Sequence, residues 1–151
     1  MMMNDLMEDA KDIGLDIGHK YSTILTLVDK FKNELNLVTK PVLVHKDLYL
    51  ANVFINDDKI SGIIDWERSI WAEPLIEAVC TFSLHEKSFM DEFYGEKEFT
   101  RDEKIRIDLY KLYLFSLMTI ETPYRQYKEE GLDKWPREQL DLAVKNLTTN
   151  Y

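Results

Sequence analysis

Apolar residues first recur at helical spacing between Tyr21 and Asn36, where Ile24, Leu27, Val28, Phe31 and Leu35 share a face. Asp29, Lys30, Lys32, Asn33 and Glu34 fill the other face, so the stretch predicts one amphipathic helix. Residues 1–20 are Met-rich, acidic and weakly patterned, and predict a frayed start or the remnant of a connection. Pro41 marks a boundary, after which the apolar run Pro41-Val-Leu-Val44 leads into polar residues. Val53-Phe-Ile-Asn56 and Lys59-Ile-Ser-Gly-Ile-Ile64 then flank Asp57-Asp58, which predicts a β-hairpin turning at the two aspartates. Helical patterning returns at Pro74, well placed in the first turn of a helix carrying Leu75, Ile76, Ala78, Val79, Cys80, Phe82 and Leu84. Ser88 and Gly95 bracket a short helix. Thr100 with Glu103 reads as a capping box for the longest helical run, which Pro123 ends or kinks. A polar connection, Gln126 to Lys134, leads to Trp135-Pro136 and a last helix with Leu140, Ala143 and Leu147. The order predicts a mainly α single domain over residues 1–151 with a small β-hairpin insert.

Residues 41–67 hold the candidate chemistry. Asp47 sits on the loop leading in, Asn52 just before the first strand and Asp65 just after the second. A hairpin that folds back brings Asn52 near Asp65, so two carboxylates and an amide converge at one end of a small sheet. That donor set suits Mg²⁺, which takes few protein oxygens and shares the rest with phosphate and water. Turn chemistry explains any one of these residues alone. It does not explain their joint spacing around a hairpin.

The stretch His45-Lys46-Asp47-Leu48-Tyr49-Leu50-Ala51-Asn52, with Ile64-Asp65-Trp66-Glu67 beyond the hairpin, resembles the catalytic core of the protein-kinase-like fold in its aminoglycoside phosphotransferase and choline kinase branch. The usual pattern there is H-G-D-x-x-x-x-N, a hairpin, then I-D-W/F-E/G. The resemblance implies the C-terminal lobe of that fold and a phosphoryl transfer from ATP or GTP to a small-molecule hydroxyl. Asp47 would position the hydroxyl and accept its proton, and Asn52 and Asp65 would hold Mg²⁺. Phe54 and Ile64 match the floor under the adenine, and His45 matches a histidine that braces the loop. Glu73-Pro74-Leu75-Ile76-Glu77 is similar to the family's G-D-P-x-x-D, which gives Glu77 the role of anchoring the catalytic loop from below. Lys46 stands where the branch has Gly, and Tyr49-Leu50-Ala51 replaces a His-Pro-Gly-like segment. No Gly-rich phosphate loop or strand-borne lysine precedes His45; Gly14 and Gly18 lack the strand context such a loop needs. The resemblance therefore covers the larger lobe with the N-lobe absent, and predicts weak nucleotide binding and slow or no turnover alone.

Composition narrows the partners. With 28 acidic against 19 basic residues the net charge is −9, which argues against nucleic acid and anionic membranes and would suit a cationic substrate. No apolar run approaches a membrane span. The single Cys80 excludes an internal disulfide and fits a reducing, cytoplasmic setting. Cys80 reads as a core residue, His19 and His85 as surface residues, and Phe89, Phe93, Tyr110, Tyr113 and Phe115 as core rather than a base-stacking platform. Glu92, Glu96, Glu98 and Glu121 read as solvated surface before they read as a pocket for an amine. Two other classes stay open. One is an inactive truncated lobe serving as a binding module, pairing as a homodimer or with a separate N-lobe through an apolar face around Phe54 and Ile64. The other is a metal-dependent hydrolase using His45, Asp47 and Asp65, which lacks a second histidine at a convincing spacing.

Overall fold

Helical spacing builds most of the chain, and it begins earlier than the sequence suggests. The computed structural model describes residues 2–79, 87–95, 97–125 and 131–151. Helix α1 (Met2–Asp12) replaces the expected frayed start. Met3, Leu6, Met7 and Ala10 are buried along one face, an i, i+3, i+4, i+7 stripe hidden among acidic neighbours. The expected helix over Tyr21–Asn36 is two pieces, α2 (Tyr21–Lys30) and α3 (Lys32–Leu35). Phe31 leaves helical geometry at φ −111°, ψ 19°, and its buried ring lies edge-on to Tyr151, centroids 6.0 Å apart.

The chain divides into a helical unit, Met1–Asn36 with Lys104–Tyr151, and a β-bearing unit, Leu37–Glu103. In the helical unit α2 packs on α1 and on the C-terminal helix Lys134–Thr149. The long helix Arg101–Tyr124 supplies Ile105, Leu112 and Phe115 to that core, and the C-terminal helix supplies Leu140, Ala143 and Leu147. Trp135 meets Phe115 edge-on at 5.4 Å. His19 is part-buried and pairs with Asp141 at 2.7 Å rather than standing as a plain surface residue.

In the β-bearing unit one expected hairpin becomes two antiparallel pairs. Strand β1 (Val42–Val44) pairs with β4 (Ile70–Ala72), and β2 (Val53–Asn56) pairs with β3 (Lys59–Ile63). The β2–β3 turn has Asp57 and Asp58 at φ 50° and 58°, the doubly left-handed tip of a tight hairpin. Pro74–Val79 forms a 3₁₀ turn, followed beyond the described gap by α4 (Lys87–Tyr94), with Gly95 at φ 68° ending it. Numbered on, Arg101–Tyr124 is α5 and Lys134–Thr149 is α6. The capping box at the start of α5 is reciprocal: Thr100 N–H donates to Glu103 Oε2 at 2.9 Å, and Glu103 N–H to Thr100 Oγ1 at 3.3 Å. Lys97 holds the Glu103 carboxyl below its usual range. Phe115 is buried but Phe93 is exposed, a correction to its core reading. Cys80, Phe82, Leu84, His85, Glu96 and residues 126–130 lie outside the described residues. Among the described residues no helix is long and apolar enough to cross a membrane.

Candidate functional site

The two strand pairs are nested, and that nesting makes the site. The outer pair sets Val44 opposite Ile70, and the inner pair sets Val53 opposite Ile63. Two short linkers run between them, residues 45–52 and 64–69. Every candidate residue except Phe54 and Glu77 lies on one of these linkers, and the two run side by side because both ends of each are pinned.

His45 stitches the linkers together. It is buried, 5% exposed. Its Nε2 lies 2.8 Å from the Ile64 carbonyl, an oxygen that can only accept, so the ring proton sits on Nε2. Nδ1 then accepts the Asp47 backbone N–H at 3.3 Å. Trp66 packs its ring against the imidazole at 4.6 Å and donates its indole N–H to the Ile63 carbonyl at 2.8 Å. Asn52 adds two further ties. Its Nδ2 donates to the Asp47 carbonyl at 3.0 Å, and its own carbonyl accepts the Ile64 N–H at 3.0 Å. With the nitrogen turned to Asp47, the amide presents Oδ1 at its other end.

Charge gathers around Asp47. Arg68 Nε lies 3.9 Å from Asp47 Oδ2, both side chains partly exposed. Lys46 adopts φ 66°, the left-handed region that favours glycine, which explains the Gly of the related motif at this position. Its backbone N–H donates to Glu77 Oε1 at 2.8 Å, and Glu77 is only 4% exposed. Burial holds the Lys46 ammonium below its ordinary range and the Arg68 charge pushes it the same way, with Glu77 offsetting part of this. Asp65 is also left-handed, at φ 65°, ψ 54°, where it opens the 3₁₀ turn Trp66–Arg68.

The structure joins Asp47 to Asn52 by a direct hydrogen bond and ties Ile64, the residue before Asp65, to Asn52 and His45. Among the described residues no side-chain hydrogen bond links Asp65 to either. Phe54 and Ile64 are exposed, at 55% and 47%, and Phe54 faces Gly62 across the hairpin, so no opposing side chain covers it. Among the described residues no three His, Cys, Asp or Glu side chains gather as a metal site. What is present is one amide oxygen and one exposed carboxylate on adjacent linkers, hard oxygens in the small number that Mg²⁺ takes from protein. Those donors fit that ion. The sequence left Arg68 and Trp66 without roles, since both follow from the linker pairing rather than from any local signal. The one local clue was the unusual Lys46.

A model of the phosphotransferase enzyme family matches residues 15–103. No curated protein and no solved structure matches the chain.

Proposed function

The chain belongs to the phosphotransferase enzyme family, and from that premise we propose that residues 1–151 are the C-terminal lobe of a kinase-like fold, with its core at residues 41–67, that moves the γ-phosphoryl group of ATP to a small-molecule hydroxyl. The observation that carries this reading is the stitching of the two linkers by His45 and Asn52. It fixes the backbones of Asp47, Asn52 and Ile64, the residue before Asp65, in one rigid patch, and phosphoryl transfer relies mostly on positioning and charge neutralisation.

In this reading Asp47 orients the acceptor hydroxyl and takes its proton as the oxygen bonds to the γ-phosphorus and the bond from that phosphorus to the bridging oxygen breaks, releasing ADP. Arg68 stands close enough to keep that carboxylate turned toward it. Asn52 Oδ1 and the Asp65 carboxylate would hold Mg²⁺, which when bound neutralises charge on the nucleotide phosphates. Phe54 and Ile64 offer an exposed apolar floor for a purine ring. Glu77 fixes the loop through the Lys46 N–H.

A second reading, a binding module without turnover, is favoured by the apolar exposure of Ile55, Ile60 and Trp71, at 67%, 67% and 74%. A thermal-shift titration separates the two. ATP with Mg²⁺ is expected to raise the melting temperature of the wild type, and Asp65→Ala to abolish the Mg²⁺-dependent part. A wild type that ignores millimolar ATP and Mg²⁺ would leave the binding module as the better account.

A further inference from the structure

Within a helix a threonine or serine hydroxyl has a ready partner, the carbonyl four residues back. Thr26, Thr122, Thr148 and Thr149 all use it, donating to the Ser22, Met118, Val144 and Lys145 carbonyls at 2.7 to 2.9 Å. Ser116 and Thr119 of α5 do not. Both are fully buried, at 0% exposure, yet among the described residues neither Ser116 Oγ nor Thr119 Oγ1 has a hydrogen-bond partner. Three residues apart, they are neighbours on one helix face, with Cβ atoms about 5–6 Å from each other. It is the face that carries buried Leu112 and Phe115. One turn on, Pro123 stands inside the same helix. Having no N–H, it leaves the Thr119 carbonyl without its helical donor.

We propose that Ser116 and Thr119 form a binding site for an internal water molecule, which bridges their hydroxyls in the interior of the helical unit. A buried hydroxyl left without a partner costs more than a typical hydrogen bond contributes, so two of them on one face call for a shared ligand. The spacing suits water, because hydrogen bonds of about 2.8 Å to each oxygen span the gap between helix neighbours three residues apart. Valence suits it as well. Each hydroxyl carries one proton and two lone pairs, and water, with two of each, matches either arrangement. Two neutral hydroxyls bring no charge to offset a buried ion, so the ligand is neutral. The Thr119 carbonyl brings the available polar groups to three, about the number of bonds that a buried water forms. The site belongs to the helical unit and takes no part in the proposed phosphoryl transfer, so the inference stands whether or not the protein transfers phosphate.

The test joins a high-resolution crystal structure of the full chain to thermal unfolding of three variants: Thr119→Val, Ser116→Ala and the two together. Density for a water within hydrogen-bond distance of both hydroxyls is expected. Each single substitution should lower the melting temperature by about 2 to 4 °C, the worth of one lost hydrogen bond in a chain of this length. The double variant should fall little further than the single ones, since the water is lost with the first change. Thr119→Val carries the sign of the effect, because valine matches threonine in shape and in helix propensity, whereas alanine gains propensity over serine. A melting temperature that rises in Thr119→Val overturns the site, since removing a dry hydroxyl only relieves an unmet polar group. Additive losses overturn it too, because each hydroxyl then has a partner of its own. So does a structure in which the hydroxyls turn back to the Leu112 and Phe115 carbonyls with no water between them. The wild-type density decides alone should a variant fail to fold.

Discussion

The helical unit and the β-bearing unit treat left-handed backbone in opposite ways. In the helical unit every described left-handed residue is a glycine: Gly14, Gly18 and Gly131. In the β-bearing unit four are not: Lys46, Asp57, Asp58 and Asp65. Exposure follows the same division. The helical unit hides Ile24, Ile105, Leu112, Leu140 and Leu147 completely, whereas the β-bearing unit leaves Phe54, Ile55, Ile60, Ile64 and Trp71 largely open. One region has settled its local conflicts with the residue that relieves them, and the other has kept them. Strain and exposed apolar surface that collect in one place are the usual mark of a region kept for binding or chemistry.

Substitutions that pull on each side of that contrast should differ in size and sign. The largest effect is expected in the helical core: Leu112→Ala, at a site with no solvent exposure, should cost about 2 to 5 kcal/mol in denaturant unfolding. Next comes Lys46→Gly, which should stabilise by about 1 kcal/mol, because it removes a left-handed side chain against a smaller entropy loss from glycine. The same change restores the residue of the related motif and is expected to leave any response to ATP and Mg²⁺ unchanged or stronger. A weaker response would mark the Lys46 side chain as one the site uses. Lys46 also gives a pH test. Its folded pKa is lowered, so the unfolded chain binds more protons as pH climbs toward the ordinary lysine value of 10.5, and this residue's contribution to stability rises over that window. Lys46→Met should lose that alkaline rise. The smallest effect belongs to Asp58→Gly at the hairpin tip, a gain under about 1 kcal/mol read as a small increase in melting temperature.

Local signals in the sequence were enough to place the β2–β3 hairpin, the Thr100–Glu103 cap and the residues of the two linkers. Each is written within a few positions, as a turn pair, a capping spacing or a motif. The pairing of β1 with β4 was not legible, because Ile70-Trp71-Ala72 is too short to stand out and its partner lies far back in the chain. With that pairing unseen, the approach of Arg68 to Asp47 and of Trp66 to His45 could not be read either. Helix α1 was hidden for another reason: its apolar stripe, half of it methionine, is set between acids, which mutes the contrast that reveals an amphipathic face. The break at Phe31 falls where its ring meets Tyr151, and no local preference announces it.

The nesting of the two strand pairs also orders events in time. The inner hairpin closes across only the two residues Asp57 and Asp58, which places it among microsecond events. The outer pair must bring Val44 to Ile70 across the whole intervening segment, a costlier closure in chain entropy. A formed inner hairpin shortens the free chain left to close, so β1 meets β4 more readily after β2 has met β3. The linkers take their final shape only when both closures are complete. The reverse order is expected on unfolding, with the patch around His45 loosening when β1 and β4 part, and hydrogen exchange faster in β1 and β4 than in β2 and β3 would bear it out.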